Sequence, residues 1–175
     1  MAESLAVRYR PNTWDDVTEQ STATTILRQQ IERGEILHAY LFVGSAGVGK
    51  TTIARIFANE INKGQGKPIE LDAASYNSVD NVRDIRNQAK VQSIDSEYKV
   101  YIIDECHALS KDAWQAFLKI LEEPPKKTIF IFCTTDAQKV PKTILSRVQK
   151  YTFKRISQQG IVQRLKYIIE QENKS

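Results

Sequence analysis

Nine consecutive residues, "GSAGVGKTT" from Gly44 to Thr52, follow directly behind the apolar run "HAYLFV". The spacing G-x-x-x-x-G-K-T suits a loop whose backbone N–H groups turn inward around phosphate oxygens at the positive end of a helix. Nucleotide contacts are therefore expected from Gly44, Ser45, Ala46, Gly47, Val48, Gly49, Lys50, Thr51 and Thr52. Lys50 can reach β- and γ-phosphates, and the Thr51 hydroxyl can ligate Mg²⁺. A second chemical element is "VYIIDE", four apolar residues ending in Asp104 and Glu105. At the carboxyl end of a strand, Asp104 would hold Mg²⁺ directly or through water, and Glu105 would orient or deprotonate an attacking water.

Those groups need a sheet to position them. Five short apolar runs supply it: "HAYLFVG" (38–44), "PIELDA" (68–73), "YKVYIID" (98–104), "KTIFIFCTT" (127–135) and "VQKYTF" (148–153). Near-continuous hydrophobicity in the first, third and fourth predicts strands buried on both faces. Helical patterns alternate with them. Ser21 or Thr22 can cap a helix reaching about Glu32 and ended by Gly34, and another runs from Gly49 to about Asn62. Ser78 can cap "VDNVRDIRNQAK". Ser110 opens "KDAWQAFLKILEE", with Ala113, Trp114, Phe117, Leu118 and Leu121 on one face and Pro124 and Pro125 ending it. This alternation predicts an α/β fold with a parallel sheet. After Ile156, "SQQGIVQRLKYIIEQENKS" reads as one amphipathic helix capped by Ser157, so residues 1–156 are expected to form the nucleotide-binding domain and 157–175 the start of another.

The 175 residues, 41% hydrophobic and 26% charged, suit one soluble globular domain. No apolar run approaches the roughly 20 residues that span a bilayer, and the start "MAESLAVRYRP" lacks a signal peptide's apolar core. A cytoplasmic location follows. Cys106 and Cys133 form no C-x-x-C pair and read as small buried residues; His38 and His107, without ligand-spaced partners, read as structural. The net charge of +4 is uneven: residues 138–175 hold nine Lys/Arg against two acids. That segment could meet a polyanionic or acidic partner, or be a solvated lysine-rich surface.

Several phrases, in order, carry a resemblance: "RYRPNTWDDVTEQ", "HAYLF", "LDAAS", "KVYIIDECH", "ILEEPP" and "TTDAQKVPKTILSRV". Over about residues 4–170 the chain resembles the AAA+ ATPase subunits of sliding-clamp loaders, most of all the bacterial DNA polymerase III gamma/tau family, with replication factor C small subunits close behind. The resemblance implies a five-stranded parallel sheet in the order 5-1-4-3-2, ATP and Mg²⁺ as cofactors, and partners comprising other loader subunits, a sliding clamp and primer–template DNA. It implies that Arg10, Pro11 and Val17 lie near the adenine and that Thr135 is the polar residue facing the γ-phosphate. It further implies that Arg147, which alone would read as a surface arginine, acts as an arginine finger on a neighbouring subunit's ATP. Arg83, Arg86 and Lys90, at helical spacing, would meet the DNA phosphate backbone.

The chain also departs from that family. Asn62 to Pro68 bridges a gap where gamma/tau subunits usually carry a four-cysteine zinc module, Val148 replaces the cysteine after the finger, and Glu19 stands where glycine is usual. The sequence stops before the lid and collar domains, as an excised module would. Two other classes are conceivable: a non-hydrolysing structural subunit, against which Lys50, Thr51, Asp104 and Glu105 argue, and another AAA+ machine such as a helicase, disfavoured by "EEPP" and "SR".

Overall fold

The computed structural model describes residue 8 and residues 21–46, 49–75, 78–91, 93–154 and 158–174. In chain order these form α1 (Ser21–Arg33), β1 (Ala39–Val43), α2 (Lys50–Ile61), β2 (Ile69–Asp72), α3 (Val79–Ala89) and β3 (Lys99–Asp104). There follow α4 (Lys111–Glu122), β4 (Thr128–Thr134), the short α5 (Lys142–Leu145), β5 (Gln149–Thr152) and α6 (Gln158–Lys174). All strands run parallel in the order β2-β3-β4-β1-β5. This is the order the resemblance implied, read from the other edge.

The sheet separates two apolar layers, and strand alternation decides which residue enters which. Tyr40, Phe42, Ile102, Ile131 and Cys133 face α1 and α2, whereas Leu41, Tyr101, Ile103, Phe130 and Phe132 face α3, α4 and α5. Bulk is complementary across the central pair. Ala39 lies beside Phe130, Tyr40 beside Ile131, Leu41 beside Phe132 and Phe42 beside Cys133, so each large ring has a slimmer neighbour on its own face. All seven residues of β4 are buried. Central strands in such a sheet need apolar residues at every position, which explains the unbroken run "TIFIFCT". β2, at the edge, instead alternates half-buried Ile69 and Leu71 with exposed Glu70 and Asp72.

The helix ends follow from local chemistry. Ser78 accepts the Asn81 N–H in a reciprocal capping box, Ser110 accepts from Ala113 N, and Gly34 takes a left-handed φ of 69° beyond α1. Ser157 and residues 9–20 lie outside the described residues. On α4, Ala113, Trp114, Phe117 and Leu121 are buried as expected; Leu118 is only half-buried, and Ile120 takes the inner place beside them. Phe117 sets its ring edge-on against Phe130 and Phe132, at centroid distances of 5.9 and 5.2 Å. Phe117→Ala is accordingly expected to lower unfolding free energy by about 3–5 kcal/mol, read from a urea titration.

The loop Asn62–Pro68 is held from beneath. Asn62 donates to the Tyr98 carbonyl at 2.9 Å and accepts the Tyr98 N–H at 2.8 Å, locking the turn after α2 to the entry of β3. Of the N-terminal segment only Arg8 is described, and its guanidinium bonds the Glu172 carboxylate on α6.

Candidate nucleotide site

β1 delivers the chain to the carboxyl edge of the sheet, where Gly44 N–H bonds the Thr134 carbonyl at 3.2 Å and ties the loop to the end of β4. Gly49 then takes φ 90°, a left-handed conformation that glycine adopts without strain, and starts α2 with no side chain capping its amides. Those amides are left to serve an anion. Lys50, 6% exposed, donates from Nζ to the Gly44 and Ser45 carbonyls at 2.7 and 3.1 Å. The ammonium is thus held across the mouth of the loop, where triphosphate oxygens could exchange with the two carbonyls. Thr51 and Thr52 are half-buried on the first turn of α2.

β3 ends at Asp104, beside β4 in the sheet. One carboxylate oxygen of Asp104 accepts the Glu105 N–H at 3.0 Å, leaving the other for a ligand. Thr51 and Asp104 offer hard oxygen donors, the set that Mg²⁺ prefers. With triphosphate and water oxygens they would complete a shell that supplies charge neutralisation at the phosphates. No cluster of three His, Cys, Asp or Glu side chains among the described residues offers a competing metal centre. The buried Cys133 thiol, pushed upward by burial and then by the negative charge of Asp104, also feels Lys50 in the opposite sense. β1 and β3 both flank β4 in parallel, so the loop that follows β1 and the carboxylate that ends β3 stand at the same edge of the sheet. Cys106, at the turn after β3, is likewise buried and pushed up to about 12, chiefly by that burial, which disfavours the thiolate.

Glu105 has φ 53° and ψ 42°, left-handed for a residue with a side chain. Backbone of this kind costs on the order of 1 kcal/mol and collects at functional turns. Its side chain, 44% exposed, lies 3.3 Å from His107 Nε2, and His107 Nδ1 lies 2.9 Å from the Thr134 hydroxyl. The sequence treats both histidines as structural. His38 is exposed, while His107 stands inside the site, a placement visible only once β3 and β4 are side by side. Thr135 lies exposed one residue past β4 at the same edge; Thr134, fully buried, holds the network.

Arg147 is elsewhere. It precedes β5, whose first residue Gln149 pairs with Tyr40 at the start of β1, while the phosphate loop leaves the end of β1. The five residues of β1 put on the order of 15 Å between these edges. Arg147 is exposed and meets Glu122 at 3.6 Å. Arg83 and Arg86 on α3, and Lys90 just past its end, are all exposed. Arg10, Pro11, Val17, Gly47 and Val48 lie outside the described residues.

A glycine loop with a buried lysine, ahead of a helix and at the same sheet edge as an acid-ended strand one place away across β4, defines a P-loop nucleotide-binding domain of the AAA+ class. In fold it is similar to a mutant of Thermotoga maritima RuvB, with a TM-score of 0.73 at 22% identity over 94% of this chain and 54% of that one. The sequence narrows this further. Residues 19–76 and 67–157 match the family described as DNA polymerase III, delta subunit. The chain is 43% identical to DNA polymerase III subunit tau of Bacillus subtilis over 94% of its length, and 38% identical to that of Escherichia coli over 97%. It belongs to the family so described, DNA polymerase III, delta subunit, and the curated relatives it resembles are tau subunits. It spans about a third of these relatives, 33% and 30% of their lengths.

Proposed function

We propose that this chain is the ATP-binding and ATP-hydrolysing module of a sliding-clamp loader subunit, coupling nucleotide state to clamp opening and release on primer–template DNA. The observation that carries it is the Lys50 ammonium resting on the Gly44 and Ser45 carbonyls, at the sheet edge where β3 ends in Asp104. In this reading the loop amides and Lys50 hold the triphosphate, and Thr51 and Asp104 hold Mg²⁺. Glu105 takes or orients the water's proton, and Thr135, at the same edge, faces the γ-phosphate. Arg10, Pro11 and Val17 would cover the base. Residues 158–174 would begin the lid domain, and Arg83, Arg86 and Lys90 would track DNA phosphates through salt-sensitive contacts.

Arg147 acts in trans in this reading, and its distance from its own loop supports that role. A guanidinium crossing an interface makes hydrolysis depend on assembly. Turnover by the full-length protein should therefore rise with partner subunits, clamp and primed DNA. Arg147→Ala in that assembly should cost about 1,000-fold in turnover with ATP affinity nearly intact. Steady-state hydrolysis across a concentration series checks it. Robust turnover by the lone subunit, unchanged on dilution or by Arg147→Ala, would remove the finger.

A further inference from the structure

His107 is an ionisable side chain at the acid turn that the mechanism above does not use. It leaves the turn after β3 with 20% of its side chain exposed, and both ring nitrogens are engaged. Nδ1 meets the Thr134 hydroxyl at 2.9 Å, and Nε2 faces the Glu105 carboxylate at 3.3 Å. The Thr134 hydroxyl accepts the Asp136 N–H at 3.1 Å and has one proton of its own to give, with the Asp136 carbonyl and the imidazole both in reach. Its contact to the Asp136 carbonyl is longer, 3.3 Å, than the one to the imidazole. If Thr134 donates to Nδ1, a neutral ring carries its proton on Nε2 and presents that N–H to Glu105. One arrangement of protons thus satisfies all three groups.

The consequence is mechanical. The left-handed backbone of Glu105 fixes where its side chain leaves the turn, but the carboxylate remains free to rotate toward solvent. An N–H held against β4 restrains it. Thr134 is a rigid anchor, fully buried, with its carbonyl bonded to Gly44 of the phosphate loop. From this geometry we propose that His107 is a positioning residue, tying the water-activating carboxylate of Glu105 to the Thr134 hydroxyl so that acid and phosphate loop keep one fixed relation. The proposal rests on the hydrolytic reading of the site.

The test uses the full-length protein in its loader assembly. His107→Ala and His107→Phe should each lower kcat about tenfold or more, while the dissociation constant for ATP stays within about twofold, because misplacing a catalytic group costs rate rather than ground-state binding. Phe keeps bulk without the hydrogen bonds, so equal losses in both variants exclude a packing role. His107→Gln, whose amide N–H can still reach Glu105, should recover most of the rate. Thr134→Val should be non-additive with His107→Ala, both in kcat and in the melting temperature of the nucleotide-free protein. Turnover of His107→Ala within twofold of wild type overturns the proposal, as does simple additivity with Thr134→Val. If the wild-type assembly hydrolyses no ATP above the Lys50→Ala background, the hydrolytic reading fails and the proposal fails with it. Intact hydrolysis with an indifferent His107 sinks only the latter.

Discussion

Glu105→Gln is expected to bind ATP with near wild-type affinity and to lose turnover by about 100-fold or more, the usual worth of a positioned general base. The substitution is a clean probe. The side chain is half-exposed and outside both apolar layers, so no core contact is lost. The Gln amide oxygen can still accept from His107, leaving the tether in place and removing only basicity. The Asp104 bond to the backbone N–H of residue 105 is also untouched. Single-turnover hydrolysis beside equilibrium ATP binding checks the split. Wild-type single-turnover rates would take Glu105 out of the chemistry, while a parallel loss of binding would assign it to the ground state.

Lys50→Ala should abolish ATP binding at ordinary nucleotide concentrations. A charged donor contributes roughly 1.5–3 kcal/mol per hydrogen bond, so losing two such bonds to phosphate corresponds to about 100-fold or more in affinity. The loss also reaches the empty protein, where the ammonium bridges two carbonyls of the loop and is nearly sealed from solvent. Calorimetric titration with ATP reads the first effect and thermal melting without nucleotide the second. Unchanged ATP affinity would mean that the loop does not grip the triphosphate. Lys50→Arg is not a neutral control, since a planar guanidinium cannot sit between those two carbonyls as a compact ammonium does.

Much of this was legible because it is local. "GSAGVGKTT" and "VYIIDE" carry their chemistry in consecutive residues, Ser78 and Ser110 announce helix starts with their own hydroxyls, and a short apolar run rich in aromatic and β-branched residues such as "TIFIFCT" points to a central strand. What was not legible depends on registers between distant segments. His107 meets Thr134, 27 residues away, only through the pairing of β3 with β4. Nothing in "DECH" announces that contact. The inward turn of Ile120 in place of Leu118 depends on how α4 lies on Phe130 and Phe132, which a helical wheel drawn in isolation does not contain. The left-handed backbone of Glu105 escapes sequence reading for a related reason: a glutamate carries no preference for it, and the surrounding turn imposes it.

The phosphate loop and Arg147 occupy opposite ends of β1, which gives the module a polarity. Two copies related by a two-fold axis present identical surfaces to each other, so a single shared patch would have to contain both ends of a strand at once. Translation along a common direction brings unlike ends together instead, each copy's arginine beside the next copy's loop, as heterologous contacts do. A stack built this way has a first and a last member. In the proposed reading, unless such a stack closed on itself, the nucleotide at one terminus would have no guanidinium opposite, and the two ends would differ.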